Sequence, residues 1–386
     1  MHRLWARILL GPVDLQLRRS LRSLIAGNRL RRPHRRRSDA GGLVGYADTL
    51  RHGTGAAVLG AIDVEGGIGA IISELEPVLS FKSVSWRKEL ASLPSPEEIE
   101  TRHRAFSALT FEDASLAAIR KAFHYHYQIF PLTQIQIVRE NMSELGLYRA
   151  RWVDPMTTDI SRIAAHSYPP KRYCKALGRA NRPGRPVFYA SENPKSALFE
   201  IGAPSDYSRT LIVSQWKLNQ PTFKFFPVLP GEGGNCRTGE VQGQWVDAMR
   251  AYLMQQQSGK VDSLMRIFDC LSRLYLGNNY PVTSWLADSV LYRNYPKLDA
   301  IVYPSIAKRK QGVCFAIRPS VIDGHGFILK KAFAVDNVSI VYTSTDGDMN
   351  VTGSNPRIAT VKGNQLEWIQ VDDQRQLEPE FAGFMA

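Results

Sequence analysis

From Gly146 onward, short apolar segments follow one another in irregular order with helical ones, which restricts the possible folds more than any other feature. The apolar segments have the length and composition of strands. They are GLYRARWV, PVFYAS, TLIVSQWKL, TFKFFPVL, LDAIVYPSI, GVCFAIRP and NVSIVYTS. The helical ones are QWVDAMRAYLM, VDSLMRIFDCLSRLYL and TSWLADSVLYRNY. This order predicts an α+β domain with a mixed β core over residues 146–345, and it excludes a doubly wound parallel sheet.

Three further regions flank this predicted domain. Residues 1–55 are basic and then glycine-rich, so we expect them to be poorly ordered. Residues 56–145 are predicted to form a small helical N-terminal domain, in which Ser95-Pro96 has the pattern of a helix start. Residues 346–386 are predicted to end the chain as strands and a tail, with a hairpin turn at Gly363-Asn364.

The positive charge lies mostly at the N-terminus. Residues 1–37 contain eleven arginines and a single acid, Asp14, within a chain of net charge +13. Such a segment fits a disordered basic tail, a transit peptide or translation from an upstream start codon. It would also suit a nucleic-acid-binding arm, since arginines neutralise phosphates.

The cysteines and the charge distribution exclude several classes of protein. Four cysteines lie far apart, with no C-x-x-C pair and no nearby histidine cluster, which argues against a metal site and against a disulfide framework. No stretch of 18 residues is free of charge, so no membrane span is predicted. We therefore expect a cytoplasmic protein in a reducing compartment.

A glutamate, Glu200, interrupts an apolar helical run. Asn193 and Pro194 have the pattern of a helix start, and Leu198 and Ile201 would face the core. Burying an unpaired carboxylate costs several kcal/mol or forces its protonation. Glu200 must therefore lie at the rim in water or have a neutralising partner.

Other polar candidates lie in loops and at strand ends, where binding groups gather. Arg149 is in the first strand of the predicted domain, and Arg179 is in a turn-rich loop. Ser305 follows the apolar strand DAIVYP. These positions make a ligand site possible but do not by themselves identify the ligand.

The order of these motifs resembles the RES domain family, which is named after an arginine, a glutamate and a serine. The resemblance covers about residues 147–320 and rests on five short motifs in the family's order. They are YRAR with Arg149, GRANRPG with Arg179, Asn181 and Gly184, YAS with Tyr189 and Ser191, SALFE with Glu200, and VYPSIAKRKQG with Ser305. The chain departs from the family at Ala180, where an aromatic residue is usual, and in a longer segment 203–280.

The resemblance implies an ADP-ribosyltransferase-like fold that binds NAD as its substrate, needs no further cofactor and cleaves the nicotinamide–ribose bond. It implies that Glu200 stabilises the positive charge that develops on the ribose. Arg149 and Arg179 would bind the pyrophosphate, because guanidinium groups hold phosphates directionally. Arg149 could instead be a salt-bridge partner of Glu200, Arg179 could be an exposed loop residue, and Arg151 competes with Arg149 because it faces the same side of the strand.

Four other residues complete the predicted site. Tyr189 would stack on the nicotinamide or the adenine ring, or else belong to the core. Ser305 would bond the ribose or the nicotinamide amide, or else cap a turn. Ser191 and Asn181 are further predicted binding residues.

The leading hypothesis is an NAD glycohydrolase or phosphorylase that acts as the growth-arresting toxin of a toxin–antitoxin pair. Its partners would be NAD, an antitoxin protein and, for a phosphorylase, phosphate. The first alternative is an ADP-ribosyltransferase that modifies a protein or a nucleic acid at the same site. The second is a basic nucleic-acid-binding regulator without catalysis, which would bind through residues 1–37.

Overall fold

The structure is a computed structural model, and it describes residues 92–127, 135–138, 146–203, 208–228, 259–293, 298–305, 312–342 and 349–372. The predicted basic head 1–55 lies outside the described residues. So do the first part of the predicted helical region, up to residue 91, and the predicted helix QWVDAMRAYLM.

Ten described strands form one sheet in the order β1-β5-β6-β7-β3-β2-β4-β8-β9-β10. Every neighbouring pair is antiparallel except β5 and β6, which are parallel. The strands are β1 (Ile135–Val138), β2 (Gly146–Val153), β3 (Phe188–Ser191), β4 (Thr210–Leu218), β5 (Thr222–Pro227), β6 (Ala300–Pro304), β7 (Val313–Ile317), β8 (Phe327–Tyr342), β9 (Met349–Lys362) and β10 (Gln365–Gln370). The prediction of an α+β fold with a mixed sheet is confirmed.

Helices flank this sheet. They are α1 (Pro96–Ser107), α2 (Leu116–Tyr127), α3 (Ile163–His166), α4 (Pro194–Ile201), α5 (Val261–Leu276), α6 (Tyr280–Asp288) and α7 (Pro319–Asp323). A 3-10 turn spans Lys171–Tyr173, and α6 continues as a π-helical turn over Ser289–Arg293. Helix α1 begins as its sequence predicts, because Ser95 Oγ accepts a hydrogen bond of 3.2 Å from the backbone N–H of Glu98.

Helices α1 and α2 share their hydrophobic core with the helices beside the sheet. Phe106 and Phe123 are fully buried, and the Phe123 ring lies 5.2 Å from that of Trp285 in α6. On the polar side, Arg273 of α5 donates a hydrogen bond of 2.9 Å to Glu100 of α1. The Arg273 guanidinium lowers the pKa of the Glu100 carboxyl to about 2. Apolar packing and a charged pair therefore both join α1 to α5.

The last two described strands extend the sheet beyond β8. β9 and β10 form a hairpin whose turn lies at Gly363-Asn364, as the sequence predicts, and Gly363 has a φ of +62°. This conformation favours glycine because it has no Cβ. Among the described residues, no helix is long and apolar enough to cross a bilayer, and no three His, Cys, Asp or Glu side chains cluster in a way that could hold a metal.

Candidate active site

Glu200 lies in the last turn of α4, whose start is encoded locally. The side chain of Asn193 accepts a hydrogen bond of 2.8 Å from the backbone N–H of Ser196, and Pro194 occupies the first helical position. Leu198 is buried, while the Glu200 side chain keeps 23% of its surface exposed. Burial of one helix face therefore presents the carboxylate at the rim of the sheet.

Two side chains from distant parts of the sequence contact this carboxylate. Ser305 Oγ donates a hydrogen bond of 2.5 Å to Glu200 Oε1, and Arg179 Nη1 lies 3.6 Å from Glu200 Oε2. The sequence left two physical solutions open for Glu200, water at the rim or a neutralising partner. The structure combines both of them.

Ser305 directly follows β6 and is fully buried. Its backbone N–H donates a hydrogen bond of 2.8 Å to the carbonyl of Gly312, next to β7. The hydroxyl proton is donated to Glu200, so a ligand at this position would meet the oxygen as an acceptor. Ser305 thus both terminates the strand and orients the carboxylate.

Arg179 lies in the loop between the 3-10 turn and β3. Its guanidinium carbon is 6.0 Å from the ring centres of both Tyr280 and Tyr303, and only 15% of its side chain is exposed. The loop bends tightly at Gly178, where an added Cβ would come within 2.2 Å of Asn181 Oδ1. Arg179 is therefore a partly buried residue of a tightly folded loop rather than an exposed one.

Tyr189 and Asn181 contact each other and hold this loop. The Tyr189 hydroxyl donates a hydrogen bond of 2.9 Å to Asn181 Oδ1 and accepts one of 2.9 Å from the backbone N–H of Ala180. Asn181 Nδ2 also donates to the carbonyl of Ala176 at 3.1 Å. Burial raises the pKa of the Tyr189 hydroxyl. These contacts support the backbone on either side of Arg179, and direct ligand contact by Tyr189 or Asn181 stays a prediction.

Arg149 carries a charge that no carboxylate of the described residues neutralises. Its Nη1 donates a hydrogen bond of 2.9 Å to the carbonyl of Tyr189, and its guanidinium carbon lies 5.4 Å from the centre of the Phe188 ring. Burial lowers the pKa of Arg149 to about 9, so the cationic form is still the one present at neutral pH. The carboxylate of Glu200 contacts Arg179 rather than Arg149.

Arg151 points to the same side of β2 but has a different partner. Its Nη1 donates a hydrogen bond of 2.5 Å to the backbone carbonyl of Ala165 in α3. Burial lowers the pKa of this guanidinium as well. Arg151 therefore binds the backbone of α3, whereas the guanidinium of Arg149 contacts β3, the strand that leads to Glu200.

Ser191 lies at the end of β3 but faces the interior. It is 2% exposed, it pairs with Cys314 across the sheet, and its Oγ is 3.8 Å from Cys314 Sγ. Burial raises the pKa of the Cys314 thiol, and the nearby charges of Glu200 and Glu192 add to this effect. Ser191 is therefore buried in this structure, as Ser305 is, and its hydroxyl lies beside Cys314.

Two other arginines of the loop around Arg179 pair with a different carboxylate, that of Asp288. Arg185 Nη1 lies 3.0 Å from Asp288 Oδ1, Arg182 lies 3.9 Å from the same carboxylate, and Arg293 donates to it at 2.6 Å. Asp288 is 2% exposed, at the end of α6. The arginine-rich sequence around Arg179 thus ties the loop to α6, and only Arg179 contacts Glu200.

Three side chains near the site did not stand out in the sequence. Tyr303 precedes Ser305 by two residues in an apolar strand, so strand periodicity could have placed both on one side. Tyr280 is about a hundred residues from Arg179, and the sequence alone did not assign it to the site. Glu192 accepts a hydrogen bond of 2.6 Å from the backbone N–H of Val313 and so holds the start of β7 against α4.

The fold and these side chains define a mixed α+β domain with a rim carboxylate set between one arginine and a strand-end serine. A comparison with family models matches residues 146–327 to the RES domain, and this part of the chain is a RES domain, with the ADP-ribosyltransferase-like fold of that family. At the level of the family this indicates an enzyme that uses NAD. No curated protein and no solved structure matches the chain.

Proposed function

We propose that the protein degrades NAD by cleaving its nicotinamide–ribose bond, as a glycohydrolase or a phosphorylase. The observation that carries the proposal is the carboxylate of Glu200, held at the rim by Ser305 and Arg179 in a RES domain. Nicotinamide in NAD is already cationic, so its departure needs no general acid. The group that needs stabilising is the ribose, which becomes positively charged as the bond breaks.

In the proposed reaction the bond between ribose C1 and the pyridinium nitrogen breaks, and its electron pair neutralises the nicotinamide. Glu200 stabilises the positive ribose that is left, and Ser305 keeps the carboxylate in one orientation. Water or phosphate then attacks C1 and loses a proton. Fixed electrostatic groups of this kind contribute about 3–4 kcal/mol to transition-state stabilisation.

The two arginines have different parts in this proposal. Arg149 has no carboxylate partner among the described residues and suits a permanent contact with the pyrophosphate of NAD. Arg179 pairs with Glu200 at 3.6 Å, a loose ion pair that an entering phosphate could replace. Binding of NAD would then draw Arg179 to the phosphates and free the carboxylate for the ribose.

We further propose that the protein is the growth-arresting toxin of a toxin–antitoxin pair in the cytoplasm, with an antitoxin protein as its partner. An ADP-ribosyltransferase would use the same site with a protein or nucleic-acid acceptor in place of water or phosphate. A nucleic-acid-binding regulator would depend on the basic head 1–37, which lies outside the described residues, and would not consume NAD.

The test is incubation of the purified full chain with NAD, with and without phosphate, followed by measurement of nicotinamide and of the ribosyl product. We expect nicotinamide release by the unchanged protein. Glu200→Gln keeps the shape of the side chain and removes its charge, so we expect the rate to fall about 10²- to 10³-fold, the usual cost of losing one electrostatic group.

The matched control is Glu367→Gln, which neutralises an exposed glutamate on β10 that pairs with Lys362. It should leave the rate of nicotinamide release unchanged. Normal NAD turnover by Glu200→Gln would contradict the proposal. Label from NAD in a macromolecule, rather than in free ADP-ribose or its phosphate ester, would favour the transferase.

A further inference from the structure

The hairpin of β9 and β10 lies beyond the RES match at 146–327, yet it contacts the segment that precedes and includes α3. The backbone N–H of Leu366 donates a hydrogen bond of 2.8 Å to the carbonyl of Ser161. Arg162 and Gln365 form an antiparallel bridge. The hairpin thus adds a short backbone pairing to residues 161–162.

A tryptophan of the hairpin reaches further into this segment. Trp368 Nε1 donates a hydrogen bond of 3.3 Å to the carbonyl of Ile160, and His166 Nε2 lies 2.9 Å from the same oxygen. The two rings stack, with centres 6.1 Å apart and planes inclined by 28°. Trp368 and His166 therefore both contact the carbonyl oxygen of Ile160.

His166 is fully buried. Burial, together with the charges of Arg151 and Arg149, lowers the pKa of the imidazole to about 4, against the opposing effect of the hydrogen bond to Ile160. Since a carbonyl can only accept, Nε2 carries the proton, and Nδ1 is a bare acceptor. Within the described part of the chain Nδ1 has no hydrogen-bond partner.

The buried imidazole lies next to the two cations of β2. Its neighbour Ala165 is the residue whose carbonyl accepts from Arg151. Arg149 stands two residues before Arg151 on the same face, and its Nε is a buried donor without a partner among the described residues. The charges of Arg149 and Arg151 favour the neutral imidazole of His166, because a protonated ring would place a third positive charge beside them.

We propose that the β9–β10 hairpin is a positioning element of the NAD site, in which Trp368 holds the Ile160–His166 segment so that Arg151 stays bound to Ala165 and Arg149 stays in place to bind the ligand. If Trp368 is removed, the segment loosens, water reaches His166, and Arg151 loses its fixed acceptor. The cation that meets the pyrophosphate is then no longer held in one place. This inference rests on the proposed function, because it assigns the ligand of Arg149.

The test is a double-mutant cycle on the full chain with NAD affinity as the readout. We expect Trp368→Ala to raise the NAD dissociation constant about 10-fold, the size found for residues that act through a neighbour. In the Arg149→Lys background, Trp368→Ala should raise the NAD dissociation constant about twofold at most, because the residue through which Trp368 acts is already altered. An equal effect in both backgrounds, or none in the unchanged protein, would overturn the proposal.

The matched control is Ile369→Ala, next to Trp368 in β10 and 62% exposed, which should leave NAD affinity unchanged. Trp368→Phe keeps an aromatic ring but loses the indole N–H and part of the stacking surface, and it replaces Trp368→Ala in the cycle if that variant does not fold. We expect it to weaken NAD binding less than Trp368→Ala does.

A second measurement does not need NAD. The ring resonances of His166, followed by NMR against pH, should report a neutral imidazole with the proton on Nε2 down to about pH 4 in the unchanged protein. Trp368→Ala should move this titration toward the ordinary histidine value of about 6.5. If the protein does not bind NAD, the proposed function fails while this measurement still decides whether Trp368 controls His166; an unchanged titration would refute that part.

Discussion

At the scale of single residues, the surroundings of two arginines on one strand give them different chemistry. Arg149 and Arg151 share a face of β2 and have the same side chain. Arg151 Nη1 donates to the carbonyl of Ala165, whereas Arg149 donates to the carbonyl of Tyr189 and lies over the ring of Phe188. Strand periodicity places both arginines on one face, so either could fill the predicted role from the sequence. Their hydrogen-bond partners in the structure distinguish them.

Arg149→Lys should raise the NAD dissociation constant about 10-fold, since lysine keeps the charge but loses the planar donors that hold phosphate. Equilibrium titration with NAD measures the change. Arg151→Lys is the matched control on the same face, and we expect it to change NAD affinity less. A larger effect at Arg151 than at Arg149 would reverse the assignment of the two residues.

At the scale of elements, the presentation of Glu200 depends on how α4 begins. The Asn193 side chain accepts from the N–H of Ser196, which satisfies one of the donors left open at a helix start. The helix is only eight residues long, from Pro194 to Ile201. In so short a helix, one cap is a large part of what holds the last turn in place.

Asn193→Ala should lower the free energy of unfolding by about 1 kcal/mol, the usual cost of losing such a cap. It should also slow nicotinamide release, because Glu200 is carried by the same helix. Urea denaturation and the release assay measure the two effects. Asn193→Ser keeps an oxygen acceptor without adding a charge beside Glu192, so it should stay close to the unchanged protein; equal damage from both substitutions would show that the cap is not the cause.

At the scale of the whole molecule, buried histidines link stability to pH. Burial lowers the pKa of His103 to about 4, and its Nδ1 lies 2.6 Å from the Tyr127 hydroxyl between α1 and α2. Between pH 6.5 and pH 4 the unfolded chain binds a proton that the folded chain does not. Stability is therefore complete above about pH 6.5 and is lost as the pH falls toward 4.

At pH 5 we expect the free energy of unfolding to be about 2 kcal/mol lower for each such histidine than at pH 7.5. Urea denaturation at the two pH values measures the loss. His103→Asn keeps a polar group near the Tyr127 hydroxyl but does not titrate. The loss in free energy of unfolding between pH 7.5 and pH 5 should therefore be smaller in this variant by the contribution of one histidine. An unchanged difference would exclude His103 as a source of the acid sensitivity.

Much of the local structure follows from short stretches of sequence. Ser95 and Asn193 cap the helices predicted to begin at them, and Gly363 forms the predicted turn. The strands around Arg149 and before Ser305 form where their apolar patterns place them. Each of these features depends on residues within a few positions of one another, where backbone geometry and burial of one face act directly.

The contacts that give the site its chemistry depend on residues far apart in the chain. Glu200 meets Ser305 across more than a hundred residues, and Trp368 reaches His166 across about two hundred. The sequence by itself determined the main helices and strands of the predicted domain, their order and the RES motifs. Only the tertiary structure decided that Arg179 rather than Arg149 pairs with Glu200, because that choice depends on how the sheet brings its loops together.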